Sequence, residues 1–418
     1  MICVLGMWHL GTVTAACLAE VGFTVTGVDP DPAVIADLAN GRPPIFEPGL
    51  EQLVAAQIAA GRLRFPADPQ EALRQAEVVW VAFDTPVDDD DQADTAFVID
   101  ATLKLLEHVR EATLVVVSAQ LPVGSVFALA THRPDLAFAC VPENLRLGGA
   151  LDAFREPDRI VAGVRSDEDR ERLAPLLGPF SEHVEWMGVE SSEMTKHALN
   201  SFLATSVAFI NEVSTICEAV GADAAEVSRG LMSERRVGPG AYLRAGDAFA
   251  GGTLARDVTF LRERAAAAAL PSHLLSGVAN SNDAHKQWSR RVIAELLPGD
   301  LARRRVAVWG LTYKPGTSTL RRSSAIALCE WLVEQGVHVR AHDPAVKELP
   351  QNLAARVELC GDAETAAAGA DALVVCTPWP EYRSVAAATS IVIDAAGFLK
   401  ATLGANPAVR YVQVGSSS

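Results

Sequence analysis

Gly6-Met7-Trp8-His9-Leu10-Gly11 follows a short apolar run and opens a helical pattern, where a dinucleotide fingerprint G-x-G-x-x-G would stand, and Asp29 ends the next apolar run, where a ribose-binding acid belongs. The chemistry of such a turn is phosphate binding by backbone N–H groups at a helix N-terminus. Trp8 replaces the middle glycine, which normally lets the backbone approach the pyrophosphate, so an indole there could occlude the phosphates or force a displaced pose. A two-glycine turn between strand and helix is by itself more often structural than a nucleotide site, and Asp29 alone reads equally as a turn residue. Lys196 and Asn200 form a second constellation: one helical turn apart, they project from one face, and an ammonium beside an amide suits holding an oxyanion. Taken in isolation, the pair reads as a solvated helix face.

Positioning these residues requires a particular order of elements. Ile2-Cys3-Val4-Leu5-Gly6, then Val13, Cys17, Leu18 and Val21 at helical spacing, predict strand, tight turn and helix. Further strands are predicted at 24–29, 78–82 and 113–117, separated by helical material, and alternation of this kind implies a parallel, doubly wound sheet. From Ser191 to about Gly221 one long helix is expected, with Leu199, Leu203, Ser206, Ile210, Val213 and Cys217 on one stripe. A second β/α series starts at Arg305–Gly310 and continues through 337–340, 372–375 and 391–393. The expected fold is α/β, with two Rossmann-like doubly wound parallel-sheet domains joined by a long central helix.

The 418 residues suffice for two or three domains, and 49% hydrophobic with 21% charged residues excludes disorder and low-complexity architectures. A formal charge of −16 repels polyanions, so nucleic acid is not an expected partner. The seven cysteines, odd in number and set mostly in apolar runs, read as reduced core residues of a cytosolic protein. No charge-free stretch reaches membrane length, and neither a membrane nor a metal is expected.

Val28-Asp29-Pro30-Asp31, Pro44-Ile45-Phe46-Glu47-Pro48-Gly49-Leu50, Thr85-Pro86, Val141-Pro142-Glu143-Asn144-Leu145-Arg146, Pro157-Asp158-Arg159-Ile160-Val161 and Glu193-Met194-Thr195-Lys196 with Asn200 come in a characteristic order. Gly310-Leu311-Thr312-Tyr313-Lys314, Arg321, Asp343-Pro344 and Thr377-Pro378-Trp379-Pro380-Glu381-Tyr382 continue it. Over nearly the whole chain this order resembles the UDP-glucose/GDP-mannose dehydrogenase family. The resemblance implies an N-terminal NAD-binding domain (1–188), a central helical domain carrying active-site residues and, through the 191–221 helix, a homodimer contact (189–296), and a C-terminal nucleotide-sugar domain (297–418). The family oxidises the sugar C6 alcohol to a carboxylate in two hydride transfers, with a cysteine capturing the intermediate aldehyde. It further implies catalytic roles at Lys196, Asn200, Asp257, Glu143 and position 253. Cofactor contacts are implied at Gly6, Trp8, Leu10, Gly11, Asp29, Thr85, Gln120 and Arg321, and substrate contacts at Tyr242, Arg244, Phe249, Gly251 and Lys314. Lys314 and Arg321 are also candidates for phosphate or uracil-side contacts. NAD and a UDP-sugar, or a GDP-sugar, are the expected ligands, and Trp8 sets the binding of NAD in question.

The nucleophile segment, close to G-x-G-F-G-G-S-C-F-P-K-D in the family, reads Gly246-Asp247-Ala248-Phe249-Ala250-Gly251-Gly252-Thr253-Leu254-Ala255-Arg256-Asp257. Thr253 stands at the cysteine position, its hydroxyl has a pKa far above the thiol's ~8.5, and none of the seven cysteines lies in the segment. Gln120 replaces a hydroxyl residue, Leu147 a second glutamate, and Ser318 and Thr319 an acidic pair before Arg321, with Arg322 following. Three functions stay open at this point: an NAD-dependent oxidoreductase limited to the two-electron alcohol/aldehyde step, a nucleotide-sugar-binding paralogue without catalysis, and a non-redox enzyme on a retained sugar site.

Overall fold

In the computed structural model the described residues are 1–86, 93–321, 323–386 and 389–416, and the chain divides into two compact units, Met1–Ala198 and Leu199–Ser418. The first unit is built on an eight-stranded sheet of order β3-β2-β1-β4-β5-β6-β7-β8. Its strands are β1 (Ile2–Leu5), β2 (Val25–Val28), β3 (Leu63–Arg64), β4 (Val78–Val81), β5 (Leu114–Val117), β6 (Ala137–Cys140), β7 (Ile160–Gly163) and β8 (Val184–Met187). All neighbours pair parallel except β6 and β7, which meet antiparallel at Cys140 and Gly163. β1 is buried on both faces: Ile2 and Val4 enter one core, Cys3 and Leu5 the other. That is why it reads as an unbroken apolar run rather than an alternation.

The second unit repeats the plan. β9 (Arg305–Trp309), β10 (His338–His342), β11 (Val357–Leu359), β12 (Ala372–Val375), β13 (Ile391–Asp394) and β14 (Arg410–Val412) form an all-parallel sheet of order β11-β10-β9-β12-β13-β14. Val306 and Val308 face one core, and Ala307 and Trp309 the other. In both sheets the strand order reverses beside the first strand, the place where open α/β sheets bind ligands.

The corner leaving that first strand is built the same way twice. Gly6 has φ +87° and a Cβ there would lie 2.5 Å from the Phe83 ring; Gly310 has φ +83° and a Cβ would lie 2.4 Å from the Thr377 carbonyl. Helix α1 (His9–Glu20) follows the first corner, buried along Leu10–Ala19, and its Gly11 packs so tightly that a Cβ would fall 1.7 Å from the Gly6 carbonyl oxygen.

The long helix spans Val189–Val220. Among the described residues it is the one helix long and apolar enough to cross a bilayer by length and composition. Its first ten residues belong to the first unit, where Gly163 leaves room for Val189 and Ser192. The stripe expected from Leu199 to Cys217 is displaced. Ala204, Ala208, Ile210, Asn211, Ser214 and Cys217 are buried, while Leu199, Leu203, Ser206 and Val213 are only half-buried. Small side chains take the inner positions because Ala204 and Ala208 pack directly on Val258 and Val278 of two neighbouring helices, Arg256–Ala267 and His273–His285. Phe202, Phe209 and Ile216 are left exposed.

Gly11→Ala is expected to destabilise the protein by about 3 kcal/mol through overpacking against Gly6. Gly188→Ala, where no atom lies within 4 Å, should change stability by less than about 1 kcal/mol. Chemical denaturation of both variants measures the difference.

Candidate active site

Helix α1 begins without a cap of its own. Trp8 occupies the N-cap position with no side-chain hydrogen bond, the first turn carries no acidic residue, and the indole is 48% exposed. The N–H groups at such an end need outside acceptors. Two carboxylates supply them. Met7 N donates to Asp29 Oδ2 at 2.6 Å, and Leu10 N donates to Asp84 Oδ2 at 3.1 Å. Asp29 also accepts from Asp31 N at 2.9 Å, so its carboxylate is turned toward its own loop and the corner. His9, next in the turn, places its ring 2.9 Å from Glu47. Burial raises the Glu47 pKa, but the amides of Gly148 and Ala150 and the His9 ring outweigh it and hold the carboxyl below its ordinary range.

The exits of β4, β5 and β6 are tied to one another by side chains. Thr85 Oγ1 donates to the Gln120 carbonyl at 2.7 Å, and Gln120 Nε2 donates to Glu143 Oε1 at 2.6 Å. Lys196 Nζ donates to the Glu143 carbonyl at 2.5 Å and to Asn144 Oδ1 at 3.1 Å, and the lysine is 8% exposed. The start of the long helix is anchored to deliver that ammonium. Ser192 Oγ donates to the Cys140 carbonyl, and the His197 ring meets the Leu121 carbonyl. Glu193 accepts from Gly124 N and Val126 N, capping the Ser125–His132 helix. Burial raises the Glu193 pKa against those two amides. The first unit therefore brings Lys196, Glu143, Gln120 and Thr85 into one hydrogen-bonded chain and sets Gly6, Trp8, Leu10, Gly11 and Asp29 at the corner.

The second unit assembles a different group. Asn200 Nδ2 donates to Asp257 Oδ2, and Asp257, fully buried, lies in the first turn of the Arg256–Ala267 helix, where a carboxylate is favoured by the helix dipole. Thr253 is exposed in a π turn, Gly251–Ala255, that runs directly into that helix, and Gly251 opens the turn. The preceding segment is held by three side chains that the sequence reading did not single out. Asn211 bonds both Gly246 N and the Asp247 carbonyl. Asn282 bonds Phe249 N and its carbonyl at 2.9 and 3.0 Å, and His285 meets the Gly246 carbonyl at 2.8 Å. Burial lowers the His285 pKa, which favours a neutral ring donating to that carbonyl. The Phe249 side chain packs beside Val258, while Tyr242 and Arg244 are exposed, Arg244 reaching the Ala396 carbonyl at 3.5 Å.

Lys314 and Arg321 lie on the loop after β9, half-buried and exposed respectively. Arg322 is outside the described residues. Above the same corner, Asp343 Oδ2 accepts from Leu311 N, Thr312 N, Thr312 Oγ1 and Trp379 Nε1, all within 3.1 Å. It repeats on a larger scale what Asp29 does in the first unit.

None of the seven cysteines lies in the Gly246–Asp257 segment. Six of the seven are buried and Cys376 is half-buried. Burial pushes Cys3 up to about 11, and Cys17, Cys140 and Cys329 up to about 12. Cys360 is also raised, and Cys376 is raised well above the ordinary thiol. Thiols of this kind hold negligible thiolate near neutrality.

Three family models match the chain in order. The NAD binding domain of the UDP-glucose/GDP-mannose dehydrogenase family covers residues 1–181, its central domain 190–284 and its UDP binding domain 307–401. The UDP-glucose 6-dehydrogenase of Pseudomonas aeruginosa is 38% identical over 401 residues, 91% of this chain and 88% of that protein. That of Rhizobium meliloti is 34% identical over 396 residues, 92% of this chain and 90% of that protein. A solved UDP-glucose dehydrogenase from Pyrobaculum islandicum matches 100% of this chain and 98% of its own with a TM-score of 0.88 at 27% identity. With its two parallel-sheet units, its long helix and the matched domains in series, the chain belongs to the UDP-glucose/GDP-mannose dehydrogenase family, whose members are NAD-dependent nucleotide-sugar dehydrogenases.

Proposed function

We propose that this protein is an oxidoreductase acting on a UDP-sugar and confined to the two-electron interconversion of the sugar C6 alcohol and aldehyde. The single observation that carries the reading is Thr253, an exposed hydroxyl at the position of the family's nucleophilic cysteine. A threonine hydroxyl without an activating base forms no thioester-like adduct, so the aldehyde is not carried on to the acid by the covalent route.

The groups for the first step are retained. Loss of hydride from C6 needs a place for the hydroxyl proton and donors for the developing alkoxide. Lys196 supplies an ammonium held by the Glu143 carbonyl and Asn144, and Asn200, one turn along the same helix, supplies an amide. Asp257, bonded to Asn200, is the carboxylate that orients water or takes the proton. Gln120 holds the Glu143 carboxylate at 2.6 Å, which keeps that acid aligned rather than free to serve as a general base.

At the first-unit corner, Gly6, Gly11 and Asp29 provide the turn that a dinucleotide requires, and NAD bound there supplies the hydride acceptor. The UDP-sugar assignment is supported by the matched UDP binding domain and by the relatives' named activity. A second reading, a nucleotide-sugar-binding protein without catalysis, is favoured by Trp8 and Asp84 at the cofactor corner.

A homodimer through the long helix is part of the proposal. Phe202, Phe209 and Ile216 recur at seven-residue steps and are exposed, which is the pattern of a helix seam awaiting a second copy.

Incubation with NAD and UDP-glucose should yield one NADH per sugar consumed and an aldehyde that an oxime reagent traps at the expected mass; Lys196→Ala should abolish both. Two NADH per sugar, or a uronic acid, would overturn the two-electron reading. Binding of UDP-glucose without any NADH would favour the second reading. Light scattering should give twice the chain mass for the native protein and one chain mass for the Phe202→Asp/Phe209→Asp variant; a monomeric native protein rules out the dimer.

A further inference from the structure

Helix α1 starts with amide groups that its own residues leave uncapped, and the element that supplies the acceptor is the exit of β4. That exit is tightly placed. Phe83 is buried against Gly6 and meets Phe97 edge-on with ring centroids 6.3 Å apart. On the other side of Asp84, Thr85 is fastened to the Gln120 carbonyl. Asp84 therefore stands between two anchored neighbours, with its carboxylate directed at the Leu10 and His9 amides; burial raises its pKa to about 6 against those amides, which leaves it mainly ionised at neutral pH.

We infer that Asp84 is an internal anion at the phosphate position of the dinucleotide corner, so that NAD binds this protein only by taking the Leu10 amide from it. A dinucleotide pyrophosphate seeks the same helix N-terminal amides that a carboxylate satisfies. Two anions at one helix end repel each other, and a bound phosphate cannot share a single N–H with Asp84 at hydrogen-bond distance. The Met7 amide does not offer an alternative, because Asp29 accepts from it at 2.6 Å. Trp8, the N-cap residue of the same turn, is a separate variable; the Asp84 effect is electrostatic and is removed by neutralising one side chain.

The inference rests on the family's dinucleotide domain and is independent of the two-electron chemistry, so its test reads binding alone. NAD, and ADP as a probe of the phosphate half, are titrated calorimetrically into the full-length protein and into Asp84→Asn and Asp84→Ala. Asp84→Asn keeps the size and an acceptor oxygen while losing the charge, and should bind both ligands at least tenfold more tightly than the native protein. Asp84→Ala should bind more tightly still, with a lower melting temperature from the lost helix cap. Trp8→Gly separates the two variables: combined with Asp84→Asn, it should tighten NAD beyond either change alone. Dissociation constants for folded Asp84→Asn within twofold of the native value, or no measurable binding to any variant, would overturn the inference. Tightened binding without any turnover would leave it standing and count only against the proposed oxidoreductase activity.

Discussion

The rest of the molecule depends on how closely backbone can approach backbone at the corner between a central strand and the segment after it. Gly6 and Gly310 both adopt positive φ, and at each the next strand's exit lies where a Cβ would go: Phe83 against Gly6 and Thr377 against Gly310. Only glycine tolerates both demands. Closing the corner frees amides at its apex, and in each unit an aspartate at the end of the neighbouring strand accepts them, Asp29 in the first and Asp343 in the second. The two sheets share their strand order because each is wound around this corner.

The side chains proposed to act on the substrate are delivered by elements with no ligand-binding character of their own. Lys196 is placed because Ser192, Glu193 and His197 fasten the helix around it to the exits of β5 and β6. Further along the helix, Asn200 and Asn211 are buried polar residues at positions where an apolar helix would carry leucine, and each has a fixed partner. Buried amides are costly unless bonded, so their presence commits the Gly246–Asp257 segment to one conformation.

Position 253 holds a threonine, and burial raises the thiols of Cys3, Cys17, Cys140, Cys329, Cys360 and Cys376 above their ordinary range. At the first-unit corner Trp8 stands at the helix N-cap and Asp84 accepts from Leu10 N. Lys196 and Asn200, by contrast, each have fixed hydrogen-bond partners.

The fold class and the central strands β1, β2, β4, β5, β9, β10, β12 and β13 were legible in the sequence, since most of them are written as apolar runs, whereas β3, β6, β7, β8, β11 and β14 were not. The family was equally legible, because its motifs are residue types in a fixed order along the chain. The face of the long helix was not: apolar periodicity pointed to Leu199 and Leu203, but close helix packing selected Ala204 and Ala208 and left Phe202 and Phe209 outside. Nor was the role of Asp84. As a residue type it is one acid among 52 acidic side chains. Its meaning arises from a hydrogen bond to Leu10, 74 residues away, made only when parallel pairing of β1 with β4 sets the two strand exits side by side. Residue type and local period are properties of the chain, whereas which acceptor a helix end finds is decided by strand pairing, and that exists only in the folded sheet.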